Sequence, residues 1–541
     1  MRNKLFNLAL ILVLGLGFAV DSAAGPAAMK VYELEQPNGT RFSVLNRGDE
    51  RNNWIETVEG YAIGQGNDGY WYYMQKYTET KSLLGPTRAD QPPPSHLEKH
   101  VRPTPLRMRL APPEETRYES LEKAPSGNFS GKILFILVEF NDWTGTYSES
   151  TWESAMAQIG NYFTDASYGK VTVIPAGETF GTVNNGVIGW LNVGYDHPDT
   201  GNVWNSVNRQ LAKDAILAAD PYVDFADYDT NDDGYVDADE LAIVVVVAGY
   251  EESYSSASYS PSVWAHFWNI PYPPVVDGVF VGGYHSGAGA YGYAQVGEIH
   301  QSHSSNQHRA TVGQIVHELG HLIFRLPDLY DTDHSSSGIG AFGIMASGAW
   351  GRASSDTYIG ETPVLPCAWS KYNRAWVDGK RGSGITSVTA AGSSLAAGAN
   401  IVSKVWAGRF NEYFLIENRQ PLGYDRGLER WLGADFGGIA IWHIDDSLTR
   451  NNDDSHRLVD LEEADATEMT YWNRGERTDL WYSGNATTFN DTTIPNSTLY
   501  DGSLRGVKIT DIGASGETMT VTIFPTVSKA MPWIPLLLLE D

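Results

Sequence analysis

One cysteine, Cys367, in 541 residues excludes an intramolecular disulfide, and with it a small disulfide-stapled scaffold. The length has no need of one. At about one domain per 150 residues the chain divides into three or four units, and 17 Trp, 29 Tyr and 18 Phe are enough for large packed cores. Cys367 sits in Pro366-Cys367-Ala368-Trp369-Ser370, an expected helix start, as a small buried residue rather than a nucleophile. Basic charge is also scarce: 38 Lys and Arg against 66 Asp and Glu give a net charge of −28, with no basic cluster dense enough for phosphate backbones. Nucleic acid and anionic membrane are therefore not expected partners. Apart from an N-terminal stretch, no apolar run approaches the ~20 residues of a spanning helix, so no stable membrane insertion is expected. No internal repeat of fixed period is found.

That N-terminal stretch, Leu5 to Val20, follows Arg2 and Lys4 and precedes Ser22-Ala23-Ala24. This is the order of an export signal, with Gly25 beginning the exported protein. Residues 1–24 are assigned to a signal peptide, and the expected location is extracellular, with the periplasm also open. Residues 25–128 form an expected propeptide and linker. Within them the Asn67-Asp68-Gly69 turn and Tyr70-Trp71-Tyr72-Tyr73 suggest hairpins. The run from Gln91 through Lys123, with Pro92-Pro93-Pro94 and Pro112-Pro113, has linker composition and suits processing. The apolar run Leu536 to Leu539 fits a last core strand.

At Gly131 to Phe140 the pattern becomes near-continuously apolar, as in a central strand buried on both faces, and Leu241 to Gly249 is a second such strand. Thr151 to Ser167, Val203 to Ala219 and Thr311 to Phe324 are expected helices. A catalytic domain of α/β (α+β) order is thus expected over 129–380, with a β-rich domain over 381–541.

The last of those helices carries His317-Glu318-Leu319-Gly320-His321. Residues four apart share a helix face, so both imidazoles can reach one metal ion, with Glu318 beside it where a bound water would sit. A catalytic zinc wants three protein ligands and an open position. Pro327 stops the helix direction, and Asp328 and Asp331 both follow closely enough to be the third ligand. Glu361, forty residues after His321, is the nearest downstream glutamate if the third ligand is a distal glutamate. Gly340 to Gly348 places Met345 among small residues, suited to a tight turn beneath the metal.

These blocks resemble the immune inhibitor A (M6) family of secreted zinc metallopeptidases, in the metzincin clan. Further family-like blocks are Gly48-Asp49-Glu50-Arg51, Ile416-Glu417-Asn418-Arg419-Gln420 and Ile441-Trp442-His443-Ile444-Asp445. The resemblance implies a metzincin-like catalytic domain with zinc on His317, His321 and Asp328, and Met345 supporting the site from below. One departure stands out: Phe324 occupies the clan's glycine position, and Asp328 comes one residue late. A one-residue insertion before Leu326-Pro327-Asp328 accounts for both.

A second metal motif lies at Asp229 to Glu240. Asp229, Asn231, Asp233, Asp237 and Glu240 supply side-chain oxygens, Tyr235 its carbonyl and Gly234 the sharp turn of a twelve-residue calcium loop. The loop runs directly into an apolar strand, so a fixed structural calcium is expected rather than a sensor. His300, His303 and His308 are expected to be solvated and His443 a core residue; His266 lies in a segment that is a candidate for the strand along which substrate docks, with a purely structural role the favoured alternative.

The expected function is hydrolysis of peptide bonds in protein or peptide substrates. Glu318 is the general base for a water whose pKa zinc lowers to about 7. A catalytically idle, calcium-stabilised secreted adhesin or binding protein is the alternative. No cysteine lies in residues 25–128, so a thiolate cannot cap the zinc of a latent precursor; a carboxylate such as Asp49 or Glu50 is the hypothesis in its place.

Overall fold

The computed structural model describes residues 25–50, 52–78, 81–101, 124–201, 206–283, 292–393 and 399–526. The expectations for residues 1–24, for Pro112-Pro113 and for Leu536 to Leu539 fall outside these.

The apolar run becomes the strand Phe129–Glu139, which pairs in parallel with Ala242–Glu251 on one side and with Val171–Pro175 and Val187–Asn192 on the other. Ala242–Glu251 pairs in parallel with Tyr293–His300, whose far side carries the short antiparallel strand His266–Trp268. Alternation divides the central strand between two cores. Ile133, Phe135 and Leu137 join one apolar cluster, while Leu134, Ile136 and Val138 join another. Helices fill both sides, as an α/β layering requires. Helix α1 (Glu149–Ala166) buries Trp152, Ala155, Met156, Ile159, Tyr162 and Phe163 against the first. Helix α2 (Ser206–Ala219) buries Leu211, Ala212, Ala215 and Ile216 against the second. Helix α3 (Val312–Leu322) has every residue buried, as expected of a helix enclosed on all faces.

Before this unit, six strands from Val31–Glu35 to Lys81–Arg88 form an antiparallel sheet in chain order. Gly69, at φ +81°, makes the expected turn. After it comes a five-stranded sheet ordered Lys380–Arg381, Val402–Trp406, Glu412–Arg419, Gly438–Asp445 and Val459–Leu461. One face of this sheet, through Tyr413, Leu415 and Trp442, packs into the same core as α1 and α3. The core therefore runs unbroken across residue 380. Phe414, Ile416 and Ile441 on the opposite face pack with Val388, Val521 and Ile523 of a three-stranded sheet. The whole is mixed α and β, rich in strands with few helices among the described residues. No helix there is long and apolar enough to cross a membrane.

Candidate active site

His317, Glu318 and His321 lie on α3, and the chain leaves that helix by a sharp turn. Phe324 is fully buried against Phe129, Phe163 and Trp376, so it serves the core rather than the turn. The left-handed position falls one residue later, at Arg325 (φ +54°), where the Arg325 and Leu326 amides bond back to the His321 and Gly320 carbonyls. This places the extra residue, and Asp328 swings under the two histidines.

Asp328 Oδ1 lies 3.2 Å from His317 Nε2 and 3.2 Å from His321 Nε2, and the two Nε2 atoms are 3.0 Å apart. A tetrahedral ion with bonds of about 2.0–2.1 Å separates its ligands by about 3.3 Å, so the three atoms match one face of such a shell. The ring tautomers fit too. His317 Nδ1 donates to the Ile344 carbonyl at 2.8 Å and His321 Nδ1 to the Leu326 carbonyl at 2.6 Å. Each Nε2 then presents a bare lone pair to its neighbours, an arrangement that repels unless a cation sits between them. Among the described residues this is the only group of three or more such ligands with atoms all within 4.8 Å of one another.

Asp331 is turned elsewhere: its carboxylate accepts from Ser335 Oγ at 2.6 Å, Ser336 N at 2.7 Å and Asp333 N at 2.9 Å. Glu361 accepts from the Thr357 and Tyr358 amides and caps that turn. Met345 is buried, and its sulfur would lie 2.6 Å from a Cβ added at Gly320, between the two histidines.

Glu318 is fully buried; burial first, then the charges of Asp328 and Glu50, push its carboxyl well above the usual range. Its Oε1 accepts the Gly25 backbone N–H at 3.0 Å. From there residues 25–30 run along the cleft. Gly25 O accepts from Trp264 Nε1 at 3.3 Å and Pro26 O from Trp350 Nε1 at 2.7 Å. Ala28 donates its N–H to Ser253 O at 2.8 Å and accepts at its carbonyl from Arg430 Nη2 at 2.9 Å. Asp49 and Glu50 do not join the three-ligand group. Asp49 Oδ2 instead faces His334 Nε2 at 3.6 Å and Tyr330 OH at 3.4 Å. The group that meets Glu318 is thus a main-chain N–H rather than a carboxylate.

Of the remaining expectations, those for His443 and Cys367 hold and those for His300 and His308 do not. His266 is fully buried with Nδ1 on Trp264 O, and burial lowers it to about 4; the ring near the site is its neighbour Phe267, 6.2 Å from His321. His300 and His308 are buried rather than solvated, stacked on Tyr254 and Tyr358, because the chain before α3 folds inward as the strand Tyr293–His300. His443 is a core residue between Glu412 and Glu462. Cys367 is buried, and burial pushes its thiol up.

In the 229–240 loop, Gly234 takes φ +84°. Asp229 accepts from the Asp233 and Gly234 amides, Asp233 from Tyr235 N, and Glu240 from Thr230 and Asp237 N. Its acids close the loop on its own backbone and do not form a three-ligand group of the kind at Asp328.

Several contributors carry no mark of their role in the sequence, although Arg419 falls in the family-like block Ile416 to Gln420. The Ile344 and Leu326 carbonyls hold the rings. Arg419, fully buried, pairs with Asp425 and donates to the Phe342 carbonyl at 2.8 Å, anchoring the loop that leads to Met345.

Two histidines and an aspartate converging in a buried pocket, with a glutamate on the same helix, define the layout of a metallopeptidase. Comparison with known proteins supports that class: residues 146–382 match the immune inhibitor A peptidase M6 catalytic domain. The pre-pro-metalloprotease PrtV of Vibrio cholerae serotype O1, found in two strains, is 24% identical over 349 residues, covering 55% of this chain and 35% of the relative. The chain thus spans about a third of the length of the curated relatives it matches. No solved structure matches.

Proposed function

We propose that the chain is a secreted zinc endopeptidase of metzincin type, made as a latent precursor. The observation that carries this is the convergence of His317 Nε2, His321 Nε2 and Asp328 Oδ1, with Glu318 Oε1 alongside in contact with a main-chain N–H. Zinc held there supplies a water of lowered pKa and polarises the scissile carbonyl. The residues do the rest. The Ile344 and Leu326 carbonyls keep both Nε2 lone pairs aimed inward. Glu318, fully buried, takes the proton from the attacking water and delivers it to the leaving nitrogen. Gly25 N occupies the position that such a leaving nitrogen would take.

Residues 25–30 accordingly lie in the cleft as the amine half of a cleaved peptide would. Latency in this reading comes from main chain, not from Asp49 or Glu50, and ends when residues 25–128 are removed. Export, with a signal peptide over residues 1–24, belongs to the same proposal. So does calcium in the 229–240 loop, whose glycine turn and inward acids suit an ion that tightens a fixed turn.

The test is hydrolysis of a general protein substrate by the processed enzyme, before and after zinc removal by a chelator, and after zinc is restored. Activity that disappears and returns is expected. Properly folded, processed, zinc-loaded protein without activity overturns the reading in favour of a binding protein.

A further inference from the structure

Gln314 stands three residues before His317 and four before Glu318, on the side of α3 that faces Gly25. Its side chain is 2% exposed, and neither carboxamide atom has a hydrogen-bond partner among the described residues. Buried amides are seldom left this way, because the lost hydration is not recovered. What the carboxamide faces is the space beside Gly25. A Cβ added there would lie 2.5 Å from Gln314 Oε1 and 2.8 Å from Cδ. Since Gly25 N sits on Glu318, that space belongs to the first residue after a scissile bond.

We infer that Gln314 sets the specificity of this peptidase for the residue immediately after the cleaved bond, a deepening that rests on the peptidase reading above. Glycine fits with the carboxamide where it stands. Any Cβ there must shift the carboxamide, but a short side chain that can both accept and donate, such as serine or asparagine, gives the shifted carboxamide a hydrogen-bond partner. A larger apolar side chain must push the carboxamide aside and leaves it without a partner. The class of substrate selected is therefore a peptide with a small or short hydrogen-bonding residue at this position. Trp264 against Ala27, and Tyr254 and Trp350 against Ala28, line the positions that follow.

Two experiments decide it. In the first, wild type, Gln314→Ala and Gln314→Met, each processed and zinc-loaded, digest a denatured protein mixture, and the new N-terminal residues are identified by mass spectrometry. Wild type is expected to yield mainly Gly, Ser and Asn. Gln314→Ala is expected to raise the ratio of Leu to Gly by about 10-fold or more, and Gln314→Met, which keeps the bulk but loses the amide, to keep Gly and lose Ser and Asn. Digestion by all three with one unchanged profile overturns the inference while leaving the peptidase reading intact. The second needs no turnover and uses the full-length chain: the rate at which a chelator withdraws zinc. Gly25→Leu is expected to speed withdrawal by about 10-fold, and Gln314→Ala added to it to restore the slow rate, a coupling between positions 25 and 314. If no variant digests protein, the peptidase reading falls and this cycle alone decides the pocket: coupling supports it, and additivity overturns it.

Discussion

His317 to Asp328 and Asp229 to Glu240 both carry metal-ligand spacing, yet the fold uses their ligands differently. In the first, the backbone takes the outer ring nitrogens, through Ile344 O and Leu326 O, so three lone pairs are left pointing at one another. In the second, the acids accept from the loop's own amides, so the turn is closed by the chain itself. Burial separates them as well: the first group is fully enclosed, and the second is largely at the surface. In the first group the side-chain lone pairs are left free for a metal because backbone carbonyls outside the helix, Leu326 O and Ile344 O, take the outer ring nitrogens. A local loop can at most become a clip for its own turn.

The comparison breaks most severely at Glu318. Glu318→Gln is expected to cut kcat by about 10³-fold with zinc content unchanged, checked by peptide hydrolysis and elemental analysis. Zinc loss in that variant would make Glu318 a ligand rather than a base. Next comes the remote support of the first site. Arg419→Met strands Asp425 as a buried charge, while Glu417 keeps Lys371 and Trp442, at a cost of about 3–5 kcal/mol in urea unfolding, with weaker zinc retention. Unchanged stability would detach the Met345 loop from its anchor.

A third effect is pH-dependent. Burial favours neutral His443, but its hydrogen bonds to Glu412 and Glu462 overcome this and push it up to about 9 from 6.5. Its stabilisation is complete below 6.5 and is lost as pH rises through 9, about 3 kcal/mol in all. Unfolding by urea across that range should show the loss in wild type and a flattened profile in His443→Gln; equal slopes contradict it. The smallest effect belongs to the 229–240 loop, where calcium is proposed. Added calcium at a hundred times its Kd should stabilise wild type by about 2.7 kcal/mol, read as a rise in Tm, and leave Asp229→Asn unmoved, with hydrolysis the same in both. A calcium requirement for hydrolysis itself would erase the distinction between the two regions.

Much of this was legible in the chain. The apolar runs beginning at Gly131 and Leu241 became central strands, since parallel strands buried on both faces leave no polar alternation. The three helices lay within a few residues of their expected ends, though 202–205 are outside the described residues. The pair of histidines was legible because helical periodicity is local. Asp328 was harder: the clan's glycine spacing points one residue earlier, and only the left-handed backbone at Arg325 explains the shift. The carbonyl partners left no sequence signal, and neither the family-like block around Arg419 nor the expected start at Gly25 announced a role at the site. A backbone acceptor has no residue type, and small residues announce nothing until a cleft closes around them. His300 and His308 misled for the converse reason, since a Ser-rich flank looked solvated while the strand beside it is enclosed.

Asp328, and not Asp331, is proposed to complete a zinc site with His317 and His321. Zinc per chain in purified wild type, Asp328→Asn and Asp331→Asn, measured by elemental analysis after dialysis against a weak chelator, tests it most directly. One zinc is expected in wild type and in Asp331→Asn, and loss in Asp328→Asn. Zinc retained by Asp328→Asn and lost from Asp331→Asn would contradict the account.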